Sequence, residues 1–315
     1  MMHRPLGNSG LSLPAIMFGG NVFGWTADQT TSFALLDVMV DAGLSAIDTA
    51  DVYSAWVPGH RGGESETIIG QWLAARGGRE RVLIATKIGM APGADGRKLS
   101  KDSIFAGVEG SLRRLRTDVI DLYQAHADDA ETPLEETLEA FATLIRQGKV
   151  RAIGASNYSA ARLGLALQTS KAMGLPRYES LQPHYNLVER SGYEAELEPF
   201  CVEHGLGVIN YFALAAGFLT GKYRSESDLS VSPRGQGARK YLNPQGRRVL
   251  EALDDVGARH HASPAQVALA WLIARPSITA PIASATNAAQ LDDLIKAASL
   301  TLSSAEIETL NHASA

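Results

Sequence analysis

Four ionisable side chains stand at the ends of apolar runs: Asp48 and Tyr53 in "LSAIDTADVYS" (44–54), Lys87 after "RVLIAT", and His126 after "VIDLYQA". A phenol normally titrates near ~10, and a close ammonium would stabilise its phenolate enough to make Tyr53 a general acid near neutrality. Lys87 would supply that charge, Asp48 would neutralise and orient Lys87, and His126 would donate a hydrogen bond to a substrate carbonyl. Such a set suits proton delivery to an oxygen whose carbon is accepting a hydride. Each residue alone has an ordinary explanation as an ion-pair member or packed loop residue; their joint arrival at successive apolar-run ends does not.

No side chain donates hydride, so a cofactor must bring it. Ser156, Asn157 and Gln182 end two further runs and could grip a carboxamide, while Tyr211 could stack on a flat ring, the fittings of a nicotinamide site. Asn157 could equally start the next helix, and Gln182 could equally satisfy backbone groups. No GxGxxG follows a strand, so any dinucleotide is held without a Rossmann turn.

The elements that must position these groups follow from periodicity. Short Val-, Ile- and Leu-rich runs at 15–20, 44–49, 81–87, 119–126, 150–156, 179–183, 206–212 and 277–283 read as strands. Helical spacing appears near 28–42, 64–76, 101–116, 134–147, 159–173, 191–204, 245–260 and 287–298, with Ser100, Thr132 and Ser284 or Thr286 as caps. Apolar strands alternating with helices imply a parallel sheet, and this length favours one closed (β/α)8 TIM barrel over residues 1–315. In that fold, chemistry sits at the C-terminal strand ends, where the candidate residues lie. "RPLGNSGLSLPAI" reads as an N-terminal β-hairpin plugging the barrel bottom, and 214–243 as a long functional or disordered loop after strand seven.

Composition narrows the function class. The 315 residues are 45% hydrophobic and 20% charged with a net charge of -5, which gives no electrostatic reason to expect a nucleic-acid or anionic-membrane partner. Cys201 is the single cysteine, so no intrachain disulfide or multi-thiolate metal site forms, and a reducing, cytoplasmic setting is expected. The N-terminus lacks a signal-peptide core, and no window approaches ~18 apolar residues. His60, His126, His184 and His204 are scattered without an HxH or HExxH pair, against a metal-dependent hydrolase.

The motifs "IDTADVY" (47–53), "IATKIG" (84–89), "SLRRLRTDVIDLYQAH" (111–126), "RQGKVRAIGASNYS" (146–159), "SLQPHYNL" (180–187), "GFLTGKYR" (217–224) and "PIASATNAAQL" (281–291) together resemble the aldo-keto reductase superfamily over essentially the whole chain. The resemblance implies that Asp48, Tyr53, Lys87 and His126 form its catalytic tetrad in a barrel reducing a small-molecule aldehyde, ketone or sugar carbonyl. It also implies an extended NADP(H), with Gly20, Ser156, Asn157, Gln182, Tyr211 and Phe212 at the nicotinamide end. Leu214, Gly217 and Lys222 would lie along the pyrophosphate, and Ser284, Thr286, Gln290 and Asp293 around the adenosine phosphate.

Three departures stand out. Tyr211-Phe212-Ala213-Leu214 replaces the family's frequent Tyr-Ser-Pro-Leu, removing a hydroxyl. Thr286 stands where many members carry Lys or Arg, and Leu294 where many carry Asn. NADP(H) remains the first expectation, with Lys222, Arg224 and Arg234 supplying charge, and NAD(H) the alternative. Trp25 and Trp56 could wall the substrate pocket or pack beneath a loop, while His60 and Arg61 hint at a polar or anionic substrate. The resemblance extends to potassium-channel β subunits, so the rival reading is a cofactor-loaded sensor with slow turnover.

Overall fold

The computed structural model describes residues 2–90 and 98–315. Strands β1 (His3–Pro5) and β2 (Ser12–Pro14) pair antiparallel as the expected hairpin. Eight parallel strands follow: β3 (Met17–Gly19), β4 (Ala46–Asp48), β5 (Leu83–Ile88), β6 (Ile120–Ala125), β7 (Val150–Ser156), β8 (Ser180–Gln182), β9 (Gly207–Val208) and β10 (Ile282–Ala283). Their order is β10-β3-β4-β5-β6-β7-β8-β9. The ring closes through the backbone, Thr279 N–H donating to Val208 O at 2.8 Å and Ile282 N–H to Asn210 O at 2.9 Å. This is a (β/α)8 barrel.

Strand alternation explains why the chemistry collects at one end. With a side-chain period of two, Ala46 and Asp48 on β4, Ala85 and Lys87 on β5, and Ala152, Gly154 and Ser156 on β7 share the inner face. Ala46, Ala85, Leu122, Ala152 and Ile209 form an interior cluster with Leu6, Leu11 and Leu13 of the hairpin, so the hairpin plugs the bottom. The layer above is polar, while Ile47, Ile84 and Ile153 join the larger core beneath the helices. Packing in the polar layer is tight: a Cβ on Gly154 would lie 2.3 Å from Ser180 Oγ.

Most helices fall where periodicity puts them, including Gln29–Asp41, Glu64–Arg76, Lys101–Leu115, Leu134–Arg146 and Ala160–Met173. The segment expected at 191–204 is broken into Ser191–Glu194 and Leu197–Glu203. Pro264–Ala274 and Ser304–Ala313 are additional helices. The first is apolar nearly all round and buried, so it carried no amphipathic signal. Ser100 caps its helix as expected. Thr132 does not: Pro133 occupies that position, and the Thr132 hydroxyl donates to Asp129 instead. Neither Ser284 nor Thr286 caps the helix Ala288–Ala297, because Asn287 accepts from Gln290 N–H.

Segment 214–243 is not an irregular loop. It contains the helical turns Ala215–Thr220, Glu226–Val231, Gly235–Ala238 and Arg239–Tyr241. Phe218, Leu219, Tyr223, Leu229 and Ala238 are buried within it, and the Tyr223 and Ser232 hydroxyls lie 2.7 Å apart. Gly235 is required for this close packing, since a Cβ there would fall 2.0 Å from Leu229 O.

Candidate active site

The inner polar layer opens into a cavity of about 1050 Å³ at the C-terminal strand ends. Lys87 lies beneath it, fully buried, with each ammonium proton assigned an acceptor: Asp48 Oδ2 at 2.7 Å, Tyr53 Oη at 2.8 Å and Thr49 O at 2.8 Å. Asp48 is equally engaged, its Oδ2 also accepting from the Tyr53 hydroxyl at 3.2 Å and its Oδ1 from Gln182 Nε2 at 2.9 Å. Asp48, Tyr53 and His126 line the cavity itself, and the Tyr53 and His126 rings meet edge-on with centroids 6.0 Å apart.

The electrostatics correct one expectation. Lys87 is within bonding distance of Tyr53, but burial, followed by the Asp48 carboxylate, pushes the phenol well above its ordinary value. Burial also lowers the Lys87 ammonium, against the pull of Asp48. Tyr53 therefore carries its proton across the whole neutral range, directed at Asp48 and able to swing to an acceptor in the cavity. Burial, with Lys87 as second cause, pushes His126 down to about 3, so its imidazole is neutral. Its Nδ1 has no partner among the described residues.

One wall is built from the ends of β7 and β8. Ser156 Oγ donates to Gln182 O at 2.9 Å, and Asn157 Nδ2 donates to His126 O at 2.9 Å. Tyr211 Oη donates to Asn157 Oδ1 at 2.8 Å, and the Tyr211 ring stacks on His184. The helix-start alternative for Asn157 falls away, because Ser159 is the cap; Gln182 bonds side chains rather than backbone. Asn157 sits at φ 58°, and positive φ recurs at Phe212, Ala215, Ala216 and Gly217 where the chain turns along the cavity. Left-handed non-glycine residues cost roughly 1–3 kcal/mol each, and they cluster at ligand clamps.

Phe212, Leu214, Gly217, Lys222, Ser284, Thr286, Gln290 and Asp293 also line this cavity, as do Trp25 and Trp56. The two indoles meet edge-on at 5.7 Å, and Trp56 contacts the Tyr53 ring at 5.9 Å, so an aromatic mouth stands over the phenol. Four expected residues lie elsewhere. Gly20 is outside the lining, its carbonyl accepting from Ser65 Oγ at 2.8 Å, where it makes room against Asp48 O. Arg224 forms a bidentate pair with Asp254. Arg61 faces a separate cavity, and His60 does not line the main one.

Reading only the last residue of each strand missed Asn21, whose Oδ1 accepts from Ser284 Oγ at 2.7 Å across the β3–β10 seam. It missed Met90 for the same reason. The Thr49 carbonyl on Lys87 leaves no trace in residue type.

The comparisons with known proteins agree with this geometry. Residues 15–315 match the model of the aldo/keto reductase family. The chain belongs to the aldo/keto reductase family. This aldo/keto reductase is 37% identical over 319 residues to the uncharacterized oxidoreductase YrpG of Bacillus subtilis, covering 99% of this chain and 95% of that protein. It is 33% identical to the aldo-keto reductase AFTS1 of Alternaria alternata, over 99% of this chain and 91% of that one. It is 32% identical to a probable voltage-gated potassium channel subunit beta of Arabidopsis thaliana, over 94% and 91% respectively. The family is one of NAD(P)-dependent oxidoreductases. Among the described residues, no helix of this aldo/keto reductase is long and apolar enough to cross a membrane.

Proposed function

We propose that this aldo/keto reductase uses NADP(H) to reduce an aldehyde, ketone or sugar carbonyl to the alcohol, with Tyr53 as proton donor. The observation that carries this reading is the Tyr53 hydroxyl, held 2.8 Å from Lys87 Nζ at the floor of the cavity beside His126. A carbonyl oxygen within reach of Tyr53 and His126 is polarised by both, and Tyr53 gives up its proton as negative charge develops there. Lys87 stabilises the resulting phenolate, and Asp48 holds Lys87 in place. The bound cofactor supplies the hydride.

The cavity walls fit the cofactor. Ser156, Asn157 and Gln182 would hold the carboxamide, and Tyr211, locked by Asn157 and His184, would stack on the ring. Leu214, Gly217 and Lys222 would flank the pyrophosphate, with Ser284, Thr286, Gln290 and Asp293 toward the adenosine end. The preference for NADP(H) rests on Lys222 and Arg234: both line the cavity, and neither has a carboxylate partner among the described residues. Trp25 and Trp56 favour a substrate with an apolar or flat substituent over an anionic one. We place the protein in the cytoplasm, consistent with its single buried cysteine.

The similarity to a potassium channel subunit beta supports a second reading, a cofactor-loaded sensor. Fluorescence titration with NADPH and NADH, followed by turnover with a panel of aldehydes, ketones and sugars, separates the two. Tight NADPH binding with brisk oxidation supports the reductase, tight binding without turnover the sensor, and failure to bind either nucleotide overturns both.

A further inference from the structure

A second cavity of about 410 Å³ lies behind the catalytic loop, with Asp51 and Val52 in its wall, while Tyr53 faces the main cavity; Met90 lines both. Its other walls include Arg61, Ser103, Arg113 and Arg114. Arg114 is committed through Nε to the buried Glu66 at 2.6 Å, and Glu66 also accepts from Thr86 Oγ1 at 2.6 Å. The Arg61 and Arg113 guanidinium groups have no ion-pair partner among the described residues. Asp51 Oδ1 is shut off from solvent and has no hydrogen-bond partner among the described residues, and the nearby Tyr123 hydroxyl likewise has none among them. Two exposed guanidinium groups without ion-pair partners, a third neutralised by Glu66, and a carboxyl group held by the Val52 N–H thus line one cavity, an arrangement that an anion would complete.

We propose that this cavity is a binding site for a small dianionic oxyanion, gripped by Arg61 and Arg113 beside Arg114, with the Asp51 carboxyl donating its proton to it. The site is distinct from the cofactor's phosphate positions, which lie along Lys222 and Thr286 in the other cavity. Burial, then the Glu66 charge, pushes Asp51 up to about 7, so the acid form it needs is accessible near neutrality. The other charged and titratable groups around it are Arg114 from the helix Lys101–Leu115, Lys87 from β5 and Tyr123 from β6, with Arg61 and Arg113 lining the same cavity. Because Asp51 and Tyr53 share one short loop, an occupant adjoins the element that carries the proton donor.

Sulfate is the probe, since its charge does not change between pH 6 and 8. It is titrated calorimetrically into the full chain saturated with NADPH, at constant ionic strength. Saturable one-to-one binding is expected, weakened at least ~10-fold by Arg61→Gln with Arg113→Gln and retained by Arg234→Gln. Affinity should rise up to ~10-fold from pH 8 to pH 6, and Asp51→Asn, which offers an uncharged donor, should abolish that dependence. If NADPH does not bind, the same titration of a Lys222→Gln, Arg234→Gln chain reads this cavity alone. Absence of saturable binding, or binding undiminished in the Arg61, Arg113 double variant, overturns the proposal.

Discussion

Replacing Tyr53 by Phe removes one oxygen and leaves the ring between Trp56 and His126. That oxygen accepts from Lys87 at 2.8 Å and donates to Asp48 at 3.2 Å. Lys87 keeps Asp48 and Thr49 O, so the buried ammonium is not orphaned, and the stability cost should be that of about one hydrogen bond, ~0.5–1.5 kcal/mol. Catalysis loses far more, because among the described residues no other acid stands beside Tyr53: His126 is neutral, its N–H only a hydrogen-bond donor, and Lys87 is beneath the floor. General acid catalysis contributes ~10²–10⁴-fold, so kcat/KM for carbonyl reduction should fall at least ~10²-fold, or about 2.7 kcal/mol of transition-state stabilisation. NADPH affinity should change less than ~2-fold, since Ser156, Asn157 and Tyr211, the groups proposed to face the cofactor, are untouched. The assay is NADPH oxidation with the best carbonyl of the panel, alongside fluorescence titration and thermal melting. A variant that retains most of its rate, or loses cofactor binding in step with rate, would refute the assignment of Tyr53 as proton donor.

Lys87→Met leaves Asp48 buried without its cation, so a loss of ~3–5 kcal/mol in denaturant unfolding is expected along with the loss of activity. His126, pushed down to about 3 in the fold, holds fewer protons folded than unfolded. Its contribution to stability is therefore full above the ordinary imidazole value and is lost as pH falls from ~6.5 toward about 3. In His126→Asn, the decline of the urea midpoint across that window should be shallower than in the parent, and an identical slope would show that His126 is not buried as a neutral ring. Arg234→Gln should weaken NADPH at least ~10-fold and NADH little by fluorescence titration; equal effects on both would move Arg234 away from the extra phosphate. Leu13→Ala, in the hairpin plug and fully buried, should cost ~2–5 kcal/mol in denaturant unfolding without changing the KM of the carbonyl.

The fold was legible in the sequence because its strands are buried on both faces and several of its helices are amphipathic. Helix Leu134–Arg146 shows this well, with Leu138, Phe141 and Leu144 buried on one face. Two elements were not legible. Pro264–Ala274 is buried nearly all round, and strand β9 is two residues long, its expected extension to 212 reduced to an isolated bridge between His184 and Tyr211. Segment 214–243 looked irregular because its turns are short and stabilised by distant residues, such as Asp254 on Arg224.

The site was legible for a different reason: alternation forces every second residue of a barrel strand inward, so a polar residue at a strand's C-terminal end has few places to go except the cavity. That logic found Asp48, Lys87, His126, Ser156 and Gln182; Gly20, which came from the family resemblance, has no side chain to project and lies outside the cavity lining. It did not find the balance of charge. Sequence places an ammonium beside a phenol, with Asp48 on the ammonium, and suggests a lowered phenol; the fold adds complete burial and brings the same carboxylate onto the phenol itself, and these outweigh it. The consequence is chemical. A phenol that stays protonated until the carbonyl oxygen becomes basic gives up its proton only along the reaction coordinate, where Lys87 receives the developing phenolate. In the proposed reaction Lys87 would therefore act on the transition state rather than on the resting acid, and Tyr53 would need no lowered resting value to serve as donor.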